Sequence, residues 1–594
     1  MKKASAAAAV ICALLLTSCS AGESVNTTDT TPPPTETSAA SEASETTESA
    51  SETEIAETAS EAVTEITEES ISSVSSETSA ETVSSTETTT TSAPETATET
   101  ATEATTTAAT ASETTTAAEQ TTTAAATTAL EIKNDPFRNV KLSTSYKKLT
   151  DGNPLVGAGY GADPYAMEYN GRLYVYMTND AYEYTGKTIG KNTYSQIKSV
   201  RCISSDDMVN WTDHGVIKLA GADGACKWAR VSWAPAAVRK TIGGKEQFFL
   251  YFTNGASSIG VAVSDSPTGP FTDPIGGALV NGGGGVNWVI DPAVAIDTDG
   301  TAYLCYGGGF DSDNAAHPLT ARIVKLGKDM TSLDGSPAVI DAPYMFEDSG
   351  LNIIGGKYLF SYCSNWEKRS AEYGLLGEAS IAYMTSDKPL SGYTYTGEVL
   401  KNPGKFFGTY GNNHHCIVEY KGKWYIFYHA QVFEKAVTGK TDGYRSTHVD
   451  EITVGGNGSI KPAKGTMSGV SQIKKFNPYT TVSATVMSNC AGVRCTADGR
   501  RLTDISDGDW IKVSGVDFGD GAAGFTAEVT GSDNGGFIRV CADKPDGDVI
   551  ALAEFGSGST VKAQSAAAVS GVHDIYIEFV GSGCELSSWS FTKQ

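Results

Sequence analysis

The segment Lys421-Gly-Lys-Trp-Tyr-Ile-Phe-Tyr joins a glycine turn to a run of aromatic and apolar residues, as β-hairpins do. Four other segments repeat this pattern, and their turn glycines recur at intervals of 56 to 73 residues. Repeated antiparallel units of this size predict a β-propeller, and five repeats predict five blades. An array of β-sandwiches is the structural alternative. The other four segments are Asn170-Gly-Arg-Leu-Tyr-Val-Tyr, Gly243-Gly-Lys-Glu-Gln-Phe-Phe-Leu-Tyr, Asp299-Gly-Thr-Ala-Tyr-Leu-Cys-Tyr and Gly355-Gly-Lys-Tyr-Leu-Phe-Ser-Tyr.

Polar or aromatic residues stand shortly before each turn glycine. They are Asp163, Trp233, Asp291, Glu347 and His414. Because the first strand of each propeller blade lines the central axis, we expect these side chains to face one cavity. Buried charges without partners are destabilising, so a purely structural core would not contain this set. The alternative is that these residues belong to turns and that their carboxylates face solvent.

Three carboxylates around one cavity are suited to cleaving a glycosidic bond. A protonated carboxyl donates a proton to the leaving oxygen while an ionised one activates water, and a third raises the pKa of the acid. This chemistry requires no cofactor. A serine nucleophile elbow, a phosphate-binding loop and a zinc-ligand spacing are all absent from the sequence. The interpretation is therefore a hydrolase acting on a sugar polymer.

At these positions the chain resembles glycoside hydrolase family 43 over about residues 140–475, and within it the arabinoxylan arabinofuranohydrolases. The resemblance implies that Asp163 is the general base, that Glu347 is the general acid and that Asp291 sets the pKa of the acid. It also implies hydrolysis with inversion of configuration. The matching stretches are Gly161-Ala-Asp-Pro, Ser204-Ser-Asp-Asp-Met-Val-Asn-Trp-Thr-Asp-His-Gly, Ser232-Trp-Ala-Pro-Ala-Ala, Asp265-Ser-Pro-Thr-Gly-Pro-Phe-Thr-Asp-Pro, Ile340-Asp-Ala-Pro-Tyr-Met-Phe-Glu-Asp-Ser-Gly and Gly411-Asn-Asn-His-His.

Six residues are candidate substrate contacts. Sugar rings stack on aromatic faces, although each tryptophan among them could equally serve blade packing. The resemblance implies that the arginine of Gly-Tyr-Arg-Ser reaches the pocket. It also implies that the axial histidine lies near a bound calcium ion, so we expect a structural Ca²⁺ in the propeller centre. The candidates are Trp233, Trp288, Trp366, Asn254, His414 and Arg445.

The sequence after about residue 476 contains short strands separated by Gly/Asp turns, which predicts a β-sandwich of the jelly-roll type. Gly508-Asp-Trp-Ile-Lys-Val and Ser588-Trp-Ser-Phe resemble a family 6 carbohydrate-binding module. Where that family opens with a strand carrying calcium-binding carboxylates, this chain has Val482-Ser-Ala-Thr-Val. We therefore expect no calcium in this domain, and its binding of sugar stays open.

The first residues predict an export signal that ends in a lipid-modified cysteine. Lys2 and Lys3 precede an apolar stretch, and Leu16-Thr17-Ser18-Cys19 fits a lipobox. From Ser20 to about Asn134 the chain is almost entirely Thr, Ser, Ala and Glu, which predicts a disordered tether. The predicted domains are a lipoprotein signal peptide over 1–19, a linker over 20–134, a five-bladed β-propeller over 135–476 and a β-sandwich over 477–594.

The formal net charge of −26 is concentrated in the tether and says little about partners, and no basic patch suggests nucleic acid. We expect a monomer on the bacterial cell surface that meets the membrane only through its lipid and acts on plant arabinoxylan. β-Xylosidase or arabinan hydrolase activity is the alternative within the same class. A surface carbohydrate-binding protein without activity is the alternative from another class, and an adhesion or scaffold protein is a third.

Overall fold

The computed structural model describes residues 127–594, except for 181–189, 283–284, 310–312, 532–533, 557–558 and 565–568. The predicted signal peptide, Cys19 and most of the predicted tether lie outside the described residues. Helices within the described part are short, and none is long and apolar enough to cross a membrane. For the described residues the predicted all-β fold class is confirmed.

The first part of the chain forms five antiparallel sheets, each built from consecutive strands. The first four sheets are β1 to β4 (Ala162–Tyr169, Arg172–Thr178, Ser199–Ser205, Trp211–Lys218), β5 to β8 (Trp233–Ile242, Lys245–Asn254, Ser258–Ser264, Val280–Asn281), β9 to β12 (Ala293–Ile296, Ala302–Gly307, Ala321–Lys325, Ala338–Ile340) and β13 to β16 (Met345–Ile354, Lys357–Ser364, Ile381–Ser386, Thr394–Leu400). The fifth is β17 to β19 (His415–Tyr420, Lys423–Ala430, Ser446–Ile452). A 3₁₀ turn (Ala371–Tyr373), α1 (Gly404–Phe407) and α2 (Val432–Thr438) lie in connections.

The five sheets form a closed ring, and the first strand of each sheet lies on the inside of the ring. Strands β1, β5, β9, β13 and β17 contact one another in chain order, and β17 contacts β1. An apolar cluster fills the space between each pair of neighbouring sheets, and the fifth cluster joins the last sheet to the first. Tyr165 reaches across the axis, where its hydroxyl donates to the carbonyl of Val294. The alternating apolar residues of each strand thus face the neighbouring sheets and leave the axis to other side chains.

The inner strands begin with an irregular turn that the hairpin pattern did not reveal. Asp163, Ala234, Asp291 and Asp348 all adopt positive φ angles, between 38° and 70°. Such angles are strained for residues with a Cβ, and each strained residue costs on the order of 1–3 kcal/mol. In each case the backbone N–H donates to a side chain of the preceding sheet, which stabilises the turn.

The C-terminal residues form two further sheets around one apolar core. One sheet contains β20 (Val482–Ser483), β23 (Arg494–Cys495), β24 (Leu502–Thr503), β26 (Ala522–Thr530), β29 (Ser559–Gln564) and β31 (Glu585–Lys593). The other contains β22 (Asn489–Ala491), β25 (Trp510–Asp517), β27 (Gly536–Ala542), β28 (Asp548–Phe555) and β30 (Val572–Val580). The nine cysteines of the described residues are free thiols.

A short strand from the C-terminal part completes the first sheet of the ring. Strand β21 (Val486–Met487) pairs antiparallel with β4, the outer strand of that sheet. The ammonium of Lys147 lies at the same junction and donates to three carbonyls, those of Gly152, Pro154 and Ser488, each at 2.8 Å. The ring and the sandwich are therefore joined by backbone pairing and by a buried cation.

The chain reaches this junction after crossing the sandwich. Leu130 donates its N–H to the carbonyl of Val549 in β28, and the guanidinium of Arg539 lies 4.2 Å from the ring centre of Phe137. The residues from 127 to 134, which the sequence analysis assigned to the linker, thus begin to contact the sandwich.

Candidate active site

Asp163 lies at the start of β1 with both carboxylate oxygens engaged. Arg445 Nη1 donates to Oδ1 at 2.7 Å, and the hydroxyl of Thr178 donates to Oδ2 at 2.7 Å. Burial alone would raise the pKa of Asp163, but the charges of Arg445 and His414 outweigh it and hold this pKa well below its usual range. Asp163 is therefore ionised at neutral pH, as a general base must be.

The hydrogen bonds around Asp163 have a fixed direction. The N–H of Ala234 donates to Thr178 Oγ1 at 2.7 Å, so the hydroxyl hydrogen of Thr178 is left to point at Asp163. The N–H of Asp163 donates to His429 Nδ1 at 3.1 Å, and His429 Nε2 lies 3.1 Å from the carbonyl of Asn412. His429 is thus a neutral ring protonated at Nε2, in agreement with burial lowering its pKa to about 4.

Arg445 is held by a second carboxylate that the sequence analysis missed. Asp180 follows β2 and is fully buried. Arg445 Nε donates to its Oδ2 at 2.9 Å and Nη2 to its Oδ1 at 3.0 Å. The ring of Tyr194 lies 4.9 Å from the guanidinium carbon. The guanidinium therefore forms a two-pronged pair with Asp180 and extends its remaining arm to Asp163.

The pKa values of Glu347 and Asp291 are shifted in the direction opposite to that of Asp163. Burial raises the pKa of both carboxyls well above the usual range, and the charges of Asp291 and Asp163 raise that of Glu347 further. The N–H of Asp348 donates to Asp291 Oδ2 at 2.7 Å, which favours the ionised form of Asp291. Glu347 Oε1 has no hydrogen-bond partner. Since the N–H of Asp348 favours ionised Asp291 and Glu347 Oε1 accepts no such bond, Glu347 is the better candidate of the two for the protonated acid.

His414 lies between the carboxylates. Its Nδ1 is 3.5 Å from Asp163 Oδ1 and 3.8 Å from Asp291 Oδ2, and its Nε2 is 3.2 Å from Asp348 Oδ1. Asp348 also receives the N–H of His415, whose ring contacts its other oxygen at 2.5 Å. The structure thus brings Asp163, Asp291 and His414 together and adds the carboxylate of Asp348, which was not predicted.

The contacts of His414 bear on the calcium ion predicted near this residue. Within the described ranges, no group of three or more His, Cys, Asp or Glu side chains is arranged to hold a metal ion. Calcium prefers six to eight oxygen ligands, whereas both ring nitrogens of His414 already face carboxylates. The side chains around His414 therefore do not by themselves form a set of calcium ligands. Calcium at His414 stays a prediction.

The other predicted contacts differ in their surroundings. Trp233 begins β5 and donates its indole N–H to the carbonyl of Tyr194 at 2.8 Å, and Trp288 packs edge-on against Phe346, next to Glu347. Both are partly exposed. Trp366 instead packs against the apolar cluster between the fourth and fifth sheets.

Asn254 has a structural role in its loop. Its Oδ1 accepts the N–H groups of Arg230 and Val231, and its Nδ2 donates to Ser258 Oγ. These bonds brace the connection that leads into β5. Its predicted contact with substrate stays a prediction.

The chain is similar to known glycosidases over most of its length. The model of the family described as Glycosyl hydrolases family 43 matches residues 152–460, and that of Carbohydrate binding module (family 6) matches residues 483–593. An arabinoxylan arabinofuranohydrolase of Paenibacillus polymyxa is 44% identical over 475 residues, covering 74% of this chain and 74% of the relative. One of Bacillus subtilis (strain 168) is 44% identical over 487 residues, covering 76% of this chain and 94% of the relative.

A solved structure is similar as well. The crystal structure of a glycoside hydrolase family 43 arabinoxylan arabinofuranohydrolase from Bacillus subtilis, in complex with cellotetraose, has a TM-score of 0.72 and 42% sequence identity. The match covers 76% of this chain and 99% of that chain. It therefore includes both the ring of sheets and the sandwich.

Proposed function

Because the chain belongs to glycosyl hydrolases family 43, we propose that it is an α-L-arabinofuranosidase that removes arabinofuranosyl side groups from arabinoxylan. The relatives that are 44% identical bear the name arabinoxylan arabinofuranohydrolase. The observation that carries the proposal is the convergence of Asp163 and Asp291 on His414 Nδ1, at 3.5 and 3.8 Å, beside Glu347. The pKa of Asp163 is lowered there and that of Glu347 is raised, as a base and an acid require.

The mechanism is a single displacement with inversion. Ionised Asp163 removes a proton from a water molecule, which attacks the anomeric carbon, while Glu347 gives its proton to the departing xylose oxygen. Asp291 keeps the pKa of Glu347 high by its charge, and its contact with the Asp348 N–H fixes its own orientation. Trp233 and Trp288 offer faces on which a sugar ring can stack.

The experiment that tests this function is product analysis by NMR on arabinoxylan. We expect free arabinose, first formed as the β anomer because the α linkage is inverted. Glu347→Ala and Asp163→Ala should lower the rate of release by about 10²–10⁴-fold each. Xylose as the main product would favour β-xylosidase activity, and release from arabinan but not from arabinoxylan would favour an arabinan hydrolase. Wild-type rates in both variants would refute the assigned roles.

The remaining proposals concern architecture and location. The five sheets are the blades of a five-bladed β-propeller, supported by the closed ring of inner strands. Residues 1–19 are a lipoprotein signal peptide, Cys19 carries the lipid, and the segment from 20 to about 126 tethers the protein to the cell surface as a monomer. A Cys19→Ala variant should lose incorporation of a labelled fatty acid and should no longer fractionate with membranes. Unchanged labelling would refute the anchor.

A further inference from the structure

Arg445 makes more hydrogen bonds to Asp180 than to Asp163. Its Nε and Nη2 donate to both oxygens of Asp180, and its own backbone N–H donates to Asp180 Oδ2 at 3.0 Å. Only Nη1 is left for Asp163. A planar guanidinium that donates two parallel hydrogen bonds to one carboxylate has little rotational freedom left. The orientation of the guanidinium is therefore set by Asp180.

Asp180 is itself fixed by the fold. It comes two residues after Thr178, the last residue of β2, and its N–H donates to the carbonyl of Thr178 at 3.0 Å. Both residues are fully buried. The end of β2 thus contacts both oxygens of Asp163, one through the hydroxyl of Thr178 and the other through Arg445. A small displacement here would move the base relative to the water that it activates.

We infer that Asp180 is a positioning residue of the hydrolytic reaction, which holds the Arg445 guanidinium so that Nη1 meets the general base Asp163. The inference rests on the proposed function. Asp180 does not touch the substrate. It acts on the water-activating side of the reaction, through Arg445 and Asp163. A misplaced reacting group commonly lowers a rate by about 10²-fold.

The test is a kinetic comparison of Asp180→Asn with wild type on arabinoxylan and on 4-nitrophenyl α-L-arabinofuranoside. We expect kcat to fall by about 100-fold on both substrates while KM changes by less than about threefold. A good leaving group replaces an acid but not a base, so the loss should persist on the nitrophenyl substrate. A loss confined to arabinoxylan, or a raised KM with unchanged kcat, would overturn the inference.

A double-mutant cycle separates positioning from general damage. Because Asp180 acts through Asp163, adding Asp180→Asn to Asp163→Asn should cause no further loss. Multiplied losses would refute the coupling. Asp450→Asn is the matched control, since Asp450 is also buried and hydrogen-bonded, to Tyr428 and Thr466, but does not contact Arg445. It should lower the melting temperature and leave kcat unchanged, and a fall in kcat equal to that of Asp180→Asn would contradict the inference.

Two further outcomes are distinguishable. If Asp180→Asn fails to fold, Arg445→Lys serves as the second variant. It keeps the positive charge but cannot pair with both carboxylates, so we expect the same loss of kcat. An unchanged kcat in Arg445→Lys would overturn the inference. If wild type releases no arabinose from either substrate, the proposed function fails and the inference with it. If wild type is active and Asp180→Asn matches it, only the positioning role fails.

Discussion

The hydroxyl of Thr178 offers a direct test of how the fold maintains the general base. It accepts the N–H of Ala234 and donates to Asp163 Oδ2, both at 2.7 Å. Valine has nearly the same shape but no hydroxyl. Thr178→Val therefore removes one hydrogen bond to the ionised base and leaves the Ala234 N–H without a partner, while the buried volume stays almost constant.

The magnitudes follow from the two bonds lost. Without the bond to Oδ2 the carboxylate of Asp163 is held less firmly toward its water, which should lower kcat/KM by up to about 10²-fold. The unpaired N–H should lower the free energy of unfolding by about 1–3 kcal/mol. Since the lost bond favoured the ionised form, the pKa of Asp163 rises, and the acidic limb of the kcat/KM profile moves to higher pH.

The assay is the pH dependence of kcat/KM together with chemical denaturation, with Thr253→Val as the control. Thr253 occupies the corresponding place at the end of β6 and accepts the N–H of Asp291 at 2.9 Å, but its hydroxyl does not contact Asp163. Both variants should lose similar stability, and only Thr178→Val should move the acidic limb. If the limb shifts equally in both, or in neither, the hydroxyl does not stabilise the ionised base.

Four other outcomes are expected. Asp291→Asn removes a negative charge beside Glu347, so the pKa of Glu347 falls and the basic limb of the kcat/KM profile moves to lower pH; a shift to higher pH would contradict this. Dialysis against a chelator should change kcat/KM by less than about twofold, and a larger loss restored by calcium would show that a metal matters. Lys147→Met leaves three carbonyls without their donor and should lower the free energy of unfolding by about 3 kcal/mol in urea, with kcat retained. A chain ending at residue 476 lacks β21 and should aggregate, and a stable, active monomer of that length would refute a structural role for this strand.

The inner carboxylates could be predicted from the sequence because each turn glycine marks the end of the first strand of a hairpin. Residues a fixed distance before that glycine therefore occupy equivalent positions in successive sheets. It missed Asp348 for a physical reason. Adjacent residues of a regular strand face opposite sides, so the prediction of an axial Glu347 implied that Asp348 faced away. The positive φ of Asp348 breaks that alternation, and no proline follows it to signal the turn as at Asp163 and Asp291.

Asp180 was missed for a different reason. It is the last residue of Thr-Asn-Asp at the end of β2. Asp180 comes near the axis only because β2 runs antiparallel to β1, so that the end of β2 lies beside the start of β1. A search of the residues that follow each second strand would have found it. The pairing of β21 with β4 joins segments far apart in sequence through two residues each, and no local pattern encodes such a contact.

That pairing has a consequence for how the protein matures. Strand β4 is translated long before β21, so its outer edge emerges from the ribosome with open backbone donors and acceptors. The newly made chain must keep this edge from neighbouring chains until nearly the whole polypeptide has been delivered. The first sheet is thus completed by a strand from the C-terminal part of the chain. A product truncated before β21 would leave the outer edge of β4 unpaired and free to pair with other chains.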